Sequence, residues 1–314
     1  MPVAVRAWTA VPRSHTVRDV MDAAPRTLSI IVVAYQSAST IGRCLEALVP
    51  QIGDAVEVLV VDSGTDDTAA IVARRFPEVR LVKLDTQHSP GAARNVGIAA
   101  ARGELIGFVD SDCIAAPDWA ERVLAAHRDP SPVIGGVIDL APPRTTLGTA
   151  LYVCEFNQWL PGAPPGPMRD IPTCCFSLKR RAVEEHGGFR AEGYSSDTAF
   201  NWKLARAGEP PLLDPSIRVA QMMTPTLAAF VRKQLMHGRA FARMRVEEER
   251  FSTARRLAFA ALSPVLPLVL GLRLVRRVRE RGQVGLPLAR SAPLVFLGLC
   301  LWSAGELAGY LRPR

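Results

Sequence analysis

Residues 28–48 read LSIIVVAYQSASTIGRCLEAL. A run rich in Ile and Val (28–34) gives way, after a short polar stretch, to a segment of helical length near 39–49. β-Branched side chains suit the pleated surface of a strand, and a strand followed by a helix is the first half of a βαβ unit. The pattern then repeats. VEVLVV (56–61), VRLVKL (79–84), ELIGFV (104–109) and VIGGVI (133–138) are strand-like, with helical patterns near 66–76, 91–101 and 117–127 between them. Alternation of this kind predicts an α/β fold: a Rossmann-like, mostly parallel sheet with helices on both faces. The opening loop also excludes alternatives. Ala34–Thr40 (AYQSAST) holds no Gly, Lys or Arg, no G-x-G-x-x-G follows the first strand, and no G-x-x-x-x-G-K-[ST] occurs in the chain. Dinucleotide binding, a Walker-type ATPase and a nucleotidylyltransferase phosphate loop are all poorly supported.

In an open sheet of this kind ligands bind beyond the carboxyl ends of the strands. The residues there are Tyr35, Asp62, Asp85 and the pair Asp110/Asp112 within FVDSDCIAAPD (108–118). Side chains repeat every two residues along an extended segment, so Asp110 and Asp112 face one way. Like charges that close resist ionisation unless a cation sits between them. A hard divalent ion shared by carboxylates and a ligand's phosphates accounts for the clustering.

The 314 residues are 48% hydrophobic and 22% charged, enough for a full core. The 38 Lys and Arg against 30 Asp and Glu leave a net charge of +8, suited to an anionic partner. The basic excess gathers towards the C-terminal end, which points away from a nucleic-acid groove. Six cysteines show neither metal-ligand nor disulfide-framework spacing and read as reduced cytosolic thiols. Residues 1–27 lack an apolar run long enough for a signal peptide and read as a flexible leader.

Residues 141–172 are rich in Pro and Gly and read as loop with a short helical piece near 147–160. TCCFSLKRRAVEEHGGF predicts a strand and then a helix stopped at Gly187-Gly188, and residues 197–209 predict a further helix. A basic helical connector covers 227–256. The apolar stretch 257–272 is short and holds two prolines, so it reads as a re-entrant or interfacial segment. The arginines from Arg273 to Arg281 suit anionic lipid, and 292–311 is long enough to cross a bilayer.

Several ordered motifs between about Leu28 and Gly208 resemble the family-2 glycosyltransferases of the GT-A fold, of membrane-associated bacterial type. SIIVVAYQSASTIGRCLEAL is similar to that family's opening strand, loop and helix, and EVLVVDSGTDDT to its second strand and acidic turn. PGAARNVGIAAARGELIGFVDSD resembles the approach to its Asp-x-Asp, while TCCFSLKRRAVEEHGGF and YSSDTAFNWKLARAGE resemble its acceptor-side strand and base-bearing segment. The resemblance implies a GT-A catalytic domain over 28–226 and membrane-associated hydrophobic helices over 257–314. It implies a nucleotide-diphosphate-sugar donor and one Mg²⁺ or Mn²⁺. By position, Ala34 and Tyr35 would line the base pocket, Asp62 would contact the base, and Arg94 and Asn95 would lie beside the nucleotide. Asp110 would touch ribose or metal, Asp112 would be the principal metal ligand and Asp197 the general base. His237 and Arg239 would help close the site over the diphosphate.

There are departures from the family pattern. Thr65 follows Gly64 directly, one residue short of the usual acidic turn, and Ser196 stands where an acidic residue usually precedes the base. Gln234-Leu-Met-His237-Gly238 replaces the Gln-x-x-Arg-Trp of processive synthases. The expectation is an inverting, metal-dependent transferase with a hydroxyl acceptor, a glycan or a lipid-linked saccharide, at the cytoplasmic face of the cell membrane. The alternatives are transfer to a polyprenyl-phosphate carrier and a degenerate sugar-nucleotide scaffold.

Overall fold

A computed structural model describes residues 27–282 and 288–312. The leader expected over 1–27 lies, but for Thr27, outside the described residues. The first half of the chain alternates as the sequence predicts: β1 (Leu28–Ala34), α1 (Ile41–Leu48), β2 (Val56–Asp62), α2 (Thr68–Arg75), β3 (Arg80–Lys83), α3 (Pro90–Ala100) and β4 (Leu105–Val109). β2 is buried along its whole length and β1 at all but one position. Strands covered on both faces read as continuous apolar runs rather than alternating ones. α1 buries Ile41, Cys44, Leu45 and Leu48, one stripe at helical spacing.

These strands form the parallel half of the sheet, in the order β3-β2-β1-β4. The parallel series ends at β4. The next elements are β5 (Cys113–Ala115), α4 (Trp119–Ala126), β6 (Val133–Leu140), α5 (Thr146–Phe156), β7 (Gly166–Pro167) and β8 (Cys175–Lys179). β8 inserts between β4 and β6 and runs antiparallel to both. After α6 (Arg180–His186) and α7 (Ser196–Arg206), β9 (Leu212–Gln221) lies parallel to β6 and antiparallel to β5 and β7. The sheet is thus mixed beyond β4. β9 gave no strand signal because Asp214-Pro215 interrupts its apolar pattern.

α8 (Leu227–Glu248), α9 (Thr253–Leu262), α10 (Leu266–Glu280) and α11 (Leu288–Leu311) complete the chain. Pro264 and Pro267 sit in the first turns of a 3₁₀ segment (Ser263–Val265) and of α10, where proline's missing N–H is not needed. The helical path therefore runs through both. α8 and α11 cross with backbones in contact. A Cβ on Gly238 would lie 2.1 Å from the Trp302 carbonyl oxygen, and one on Gly305 2.3 Å from that of Leu235. Only glycine permits that approach. Among the described residues, Thr253–Glu280 and Leu288–Leu311 are long and apolar enough to cross a membrane. They differ in cover: α11 packs on α5, α8, α9 and α10, whereas α9 and α10 leave Leu257, Leu262, Leu268 and Leu272 exposed.

Candidate active site

Beyond the carboxyl end of β4 lies a cleft of about 900 Å³. Asp110 and Asp112, following β4, line its floor, and Asp197 in the first turn of α7 faces it as well. β5 turns back immediately after the pair and matches Cys113 with Gln221 on β9. The Met222 amide then donates to the Asp112 carbonyl at 2.8 Å, and the hydroxyls of Ser111 and Ser37 meet at 2.8 Å. The Asp-Ser-Asp segment is therefore pinned from both sides. Burial and the neighbouring Asp110 push the Asp112 carboxyl up to about 6. Burial also raises Asp110, against the pull of Arg94. Two oxygen ligands crowded at such a cost fit a hard divalent cation, which would favour the ionised form of both.

Arg94 links the Asp110 side of the cleft to the α7 side that carries Asp197. It is 8% exposed, lies 3.7 Å from Asp110 and donates to the Ser196 hydroxyl at 3.2 Å. Its position depends on Gly91, where a Cβ would fall 1.9 Å from the Arg190 carbonyl oxygen, so α3 abuts the segment leading into α7. Ser89 caps α3, accepting from the Ala92 amide at 3.2 Å. Ser195, just before α7, holds a left-handed φ of 65°, a conformation L-residues adopt at a cost and retain when the surroundings enforce it. The Asp197 carboxylate accepts from the Thr198 amide at 2.9 Å, and its other oxygen accepts no hydrogen bond from the described residues. Asp197 is the second residue of α7 rather than its cap, so its side chain is not committed to capping the helix.

Arg94, Asp110, Asp112, Asp197 and His237 come together along this cleft; the other expected residues do not. Ala34 and Asp62 face each other across β1 and β2 and are fully buried, beneath an exposed Tyr35. Asp62 is held by the Gly64 amide at 2.8 Å and by Lys83 at 2.8 Å. Gln36, at a φ of 53°, accepts from the Thr65 and Asp66 amides and braces the shortened acidic turn. Asp85 is exposed and also outside the cleft. Asn95 is occupied elsewhere, its amide paired with the backbone N–H and C=O of Phe189 at 2.9 and 2.8 Å. Arg239 points to solvent. It follows His237 by two residues, about 200° round the helix, on a face of α8 away from the stripe Lys233, His237, Phe241 and Arg245 that lines the cleft.

Other polar residues in the cleft carried no motif. Lys233 pairs with Glu155 of α5 at 2.9 Å. Burial works against its ammonium, but Glu155, Asp112 and Asp110 together outweigh it, so Lys233 is held above its ordinary value. Burial pushes the His237 imidazole down, partly offset by Glu155. Gln221 steadies Asp112 by a side-chain hydrogen bond and accepts from Cys113 Sγ at 2.7 Å. Asp170, in the loop before β8, accepts from Thr198 and Asn201 at 2.9 Å each. Burial and the charge of Asp197 push it up to about 7. The i,i+4 spacing of Lys233 and His237 was the one available sequence signal.

Comparison with known proteins agrees with this architecture. The Glycosyl transferase family 2 description matches residues 29–187, just over half of the chain. The succinoglycan biosynthesis protein ExoO of Rhizobium meliloti is 46% identical over 99 residues, 31% of this chain and 28% of that protein. The putative glycosyltransferase EpsH of Bacillus subtilis is 33% identical over 111 residues, 34% and 32% of the two chains. The chain thus spans about a third of the length of these curated relatives. Among solved structures, a mannosyltransferase from Pyrobaculum calidifontis in complex with GDP-Man and Mn²⁺ superposes with a TM-score of 0.62, covering 92% of this chain and 89% of its own at 20% identity. Staphylococcus aureus TarS, residues 1–349 with UDP-GlcNAc, gives a TM-score of 0.51 at 18% identity and covers 90% of each chain. The sheet and its helices are those of the GT-A fold, and the chain belongs to glycosyl transferase family 2.

Proposed function

We propose that the chain is an inverting, metal-dependent glycosyltransferase that moves a sugar from a nucleotide-diphosphate donor to a hydroxyl of an acceptor at the membrane. The observation that carries this reading is that the Asp110/Asp112 pair and Asp197, distant from it in sequence, line one cleft. Asp110 and Asp112 would hold Mg²⁺ or Mn²⁺, which when bound supplies positive charge against the departing diphosphate. Lys233 adds a fixed cation on the same side, where charge develops as the donor bond breaks. Asp197, on the acceptor side, takes the proton from the attacking hydroxyl. Attack from the side of Asp197, with no covalent sugar–enzyme stage, inverts the anomeric centre. Arg94 fixes the distance between the two halves through Asp110 and Ser196. Ser196, which replaces the usual acid, thus still gives Arg94 a partner.

The donor class is supported by the complexes recorded for similar folds, GDP-Man with Mn²⁺ in one and UDP-GlcNAc in the other. Succinoglycan biosynthesis in a relative supports a place in envelope polysaccharide assembly. The exposed leucines of α9 and α10, with the arginines at the end of α10, support attachment to the cytoplasmic face of the membrane through anionic lipid. The test is a titration of the full chain with UDP-, GDP- and dTDP-sugars, in Mn²⁺ and again with chelator. Binding that requires the metal and is lost in Asp112→Asn is expected. Folded protein that binds no donor under either condition would overturn the reading.

A further inference from the structure

The cleft that holds Asp112 and Asp197 does not end at the sheet. Its far wall is α9 and α10, which contribute Leu262, Leu266, Val269 and Leu270 and then, one turn apart, Arg273 and Arg277. The residues fall at spacings of three and four, one continuous helical stripe that is apolar first and cationic at its end. A second stripe beside it faces outward: Leu268 is 60% and Leu272 74% exposed. Leu262 and Val269 belong to both, so the cleft shares an apolar edge with the outer face.

The two arginines are short of an anion. Arg276 on the same helix pairs with Glu280 at 2.7 Å, and Arg245 across the cleft lies 3.5 Å from Glu249. Neither Arg273 nor Arg277 has a carboxylate within 4 Å among the described residues. Arg277 donates to the neutral Asn157 side chain, which orients it without cancelling its charge. Two guanidinium groups on one face at i,i+4 repel unless a shared anion bridges them, and phosphate matches their fork geometry. The cations that act on Asp110 and Asp112 are Arg94 and Lys233, which leaves Arg273 and Arg277 for a second anion. A water-soluble glycan gains nothing from a leucine and valine wall, because that wall offers it no hydrogen bonds.

We propose that the acceptor is a lipid-linked saccharide. Its single long chain lies along Leu262, Leu266, Val269 and Leu270, its linking phosphate or diphosphate sits between Arg273 and Arg277, and its sugar end is presented to Asp197. This rests on the transferase reading above and specifies its acceptor. The shared apolar edge lets the chain pass into the cleft from a bilayer against the outer face, without crossing water. A two-chain phospholipid belongs on the outer face and is not the occupant.

The experiment uses the full chain in phosphatidylcholine nanodiscs, a dodecyl phosphate bearing a diazirine as probe, and peptide mapping of the photolabel. Label should fall on residues 262–270 and be displaced by plain dodecyl phosphate. It should survive dodecyl maltoside, which has the chain without the phosphate, inorganic phosphate, which has the anion without the chain, and added phosphatidylglycerol. Arg273→Gln with Arg277→Gln should cut labelling by about tenfold or more, since charge-assisted bonds are lost. Arg273→Gln alone, which breaks no side-chain hydrogen bond or ion pair among the described residues, should lower it in the same direction. Labelling only at Leu268 and Leu272, displacement by phosphatidylglycerol, or labelling indifferent to both variants would overturn the proposal. Mn²⁺-dependent nucleotide binding is measured on the same preparation. Lost labelling with intact nucleotide binding sinks the acceptor site alone, whereas absent nucleotide binding sinks the transferase reading and the acceptor with it.

Discussion

Asp170 shows how one carboxylate can govern another without touching the reaction. Its two oxygens hold Thr198 and Asn201, both on the helix that carries Asp197, and burial together with Asp197 pushes its own titration up to about 7. Below that pH it is protonated and holds these donors weakly. Above it, the charged form grips α7 through Thr198 and Asn201 and so holds Asp197 in place. Transfer should therefore rise with pH through about 7. Asp170→Asn should lose that rise and roughly a tenfold share of kcat, with nucleotide affinity unchanged. A pH–rate profile beside a nucleotide titration reads both quantities; an unaltered inflection would make Asp170 a loop anchor only. Lys233→Met should cost about 10²–10³ in kcat, the scale of one electrostatic donor at a developing charge, and Lys233→Arg should restore part of it. Asp197→Asn should bind donor and lose about 10²–10⁴ in transfer, checked by nucleotide titration against product formation. Asp110, Asp112 and Asp197 were legible because each stands at a strand end or helix start that the sequence marks. Asp170, Glu155 and Lys233 were not, because long-range folding of α5, α8 and a proline-rich loop brings them to the cleft. Asn95 and Arg239 show the converse. Position in a motif cannot report that a side chain is already bonded to Phe189, or that a helix turns it outward.

At the scale of the element, α4 is tied to β8 through His127, buried with its Nε2 2.9 Å from the Ser177 hydroxyl. Burial, and then Lys179, hold this imidazole down at about 4, against an ordinary value of 6.5. The folded state thus binds this proton less readily than the unfolded chain. The stability that follows is complete above about pH 6.5 and lost as pH falls towards about 4, on the order of 2–3 kcal/mol over the window. Denaturant melts at pH 7.5 and 5 should show the loss in the wild type and a smaller one in His127→Gln; equal losses would clear His127. The crossing of α8 and α11 offers a second test of element packing. Gly305→Leu puts a side chain where the Leu235 carbonyl lies, and should lower stability by about 1–3 kcal/mol or displace α11. A thermal melt of the full chain decides it. Helix and strand periodicity located nearly every element of the parallel half, whose buried residues are mostly apolar. It failed for β5, β7 and β9, which are short or interrupted by proline and are made strands by their neighbours rather than by their own pattern.

The whole molecule places its chemistry and its greasiest surface on one continuous path. The end of the sheet supplies Asp110 and Asp112, α7 Asp197, α3 and α8 the cations Arg94 and Lys233, and α9 and α10 a wall whose outer side has no cover among the described residues. That wall joins the apolar residues of a membrane-seeking helix to arginines at its end, the combination that binds anionic bilayers by two additive terms. Arg276 and Arg279 belong to the outward set rather than to the cleft lining. Basic side chains near an anionic surface add to membrane affinity, so Arg276→Gln with Arg279→Gln should weaken partition onto phosphatidylglycerol vesicles by up to about thirty-fold. Glu280, freed of its partner, adds to the loss by facing the same surface. Raised salt should shrink the difference between wild type and variant, because charges near water are screened within about 10 Å at 0.1 M, while leaving the apolar contribution in place. Leu268→Ser with Leu272→Ser should do the reverse and weaken binding at every salt concentration. Vesicle co-sedimentation across a salt series separates the two. If neither pair of substitutions moved the partition, the outer face of α9 and α10 would not be the surface that meets the membrane.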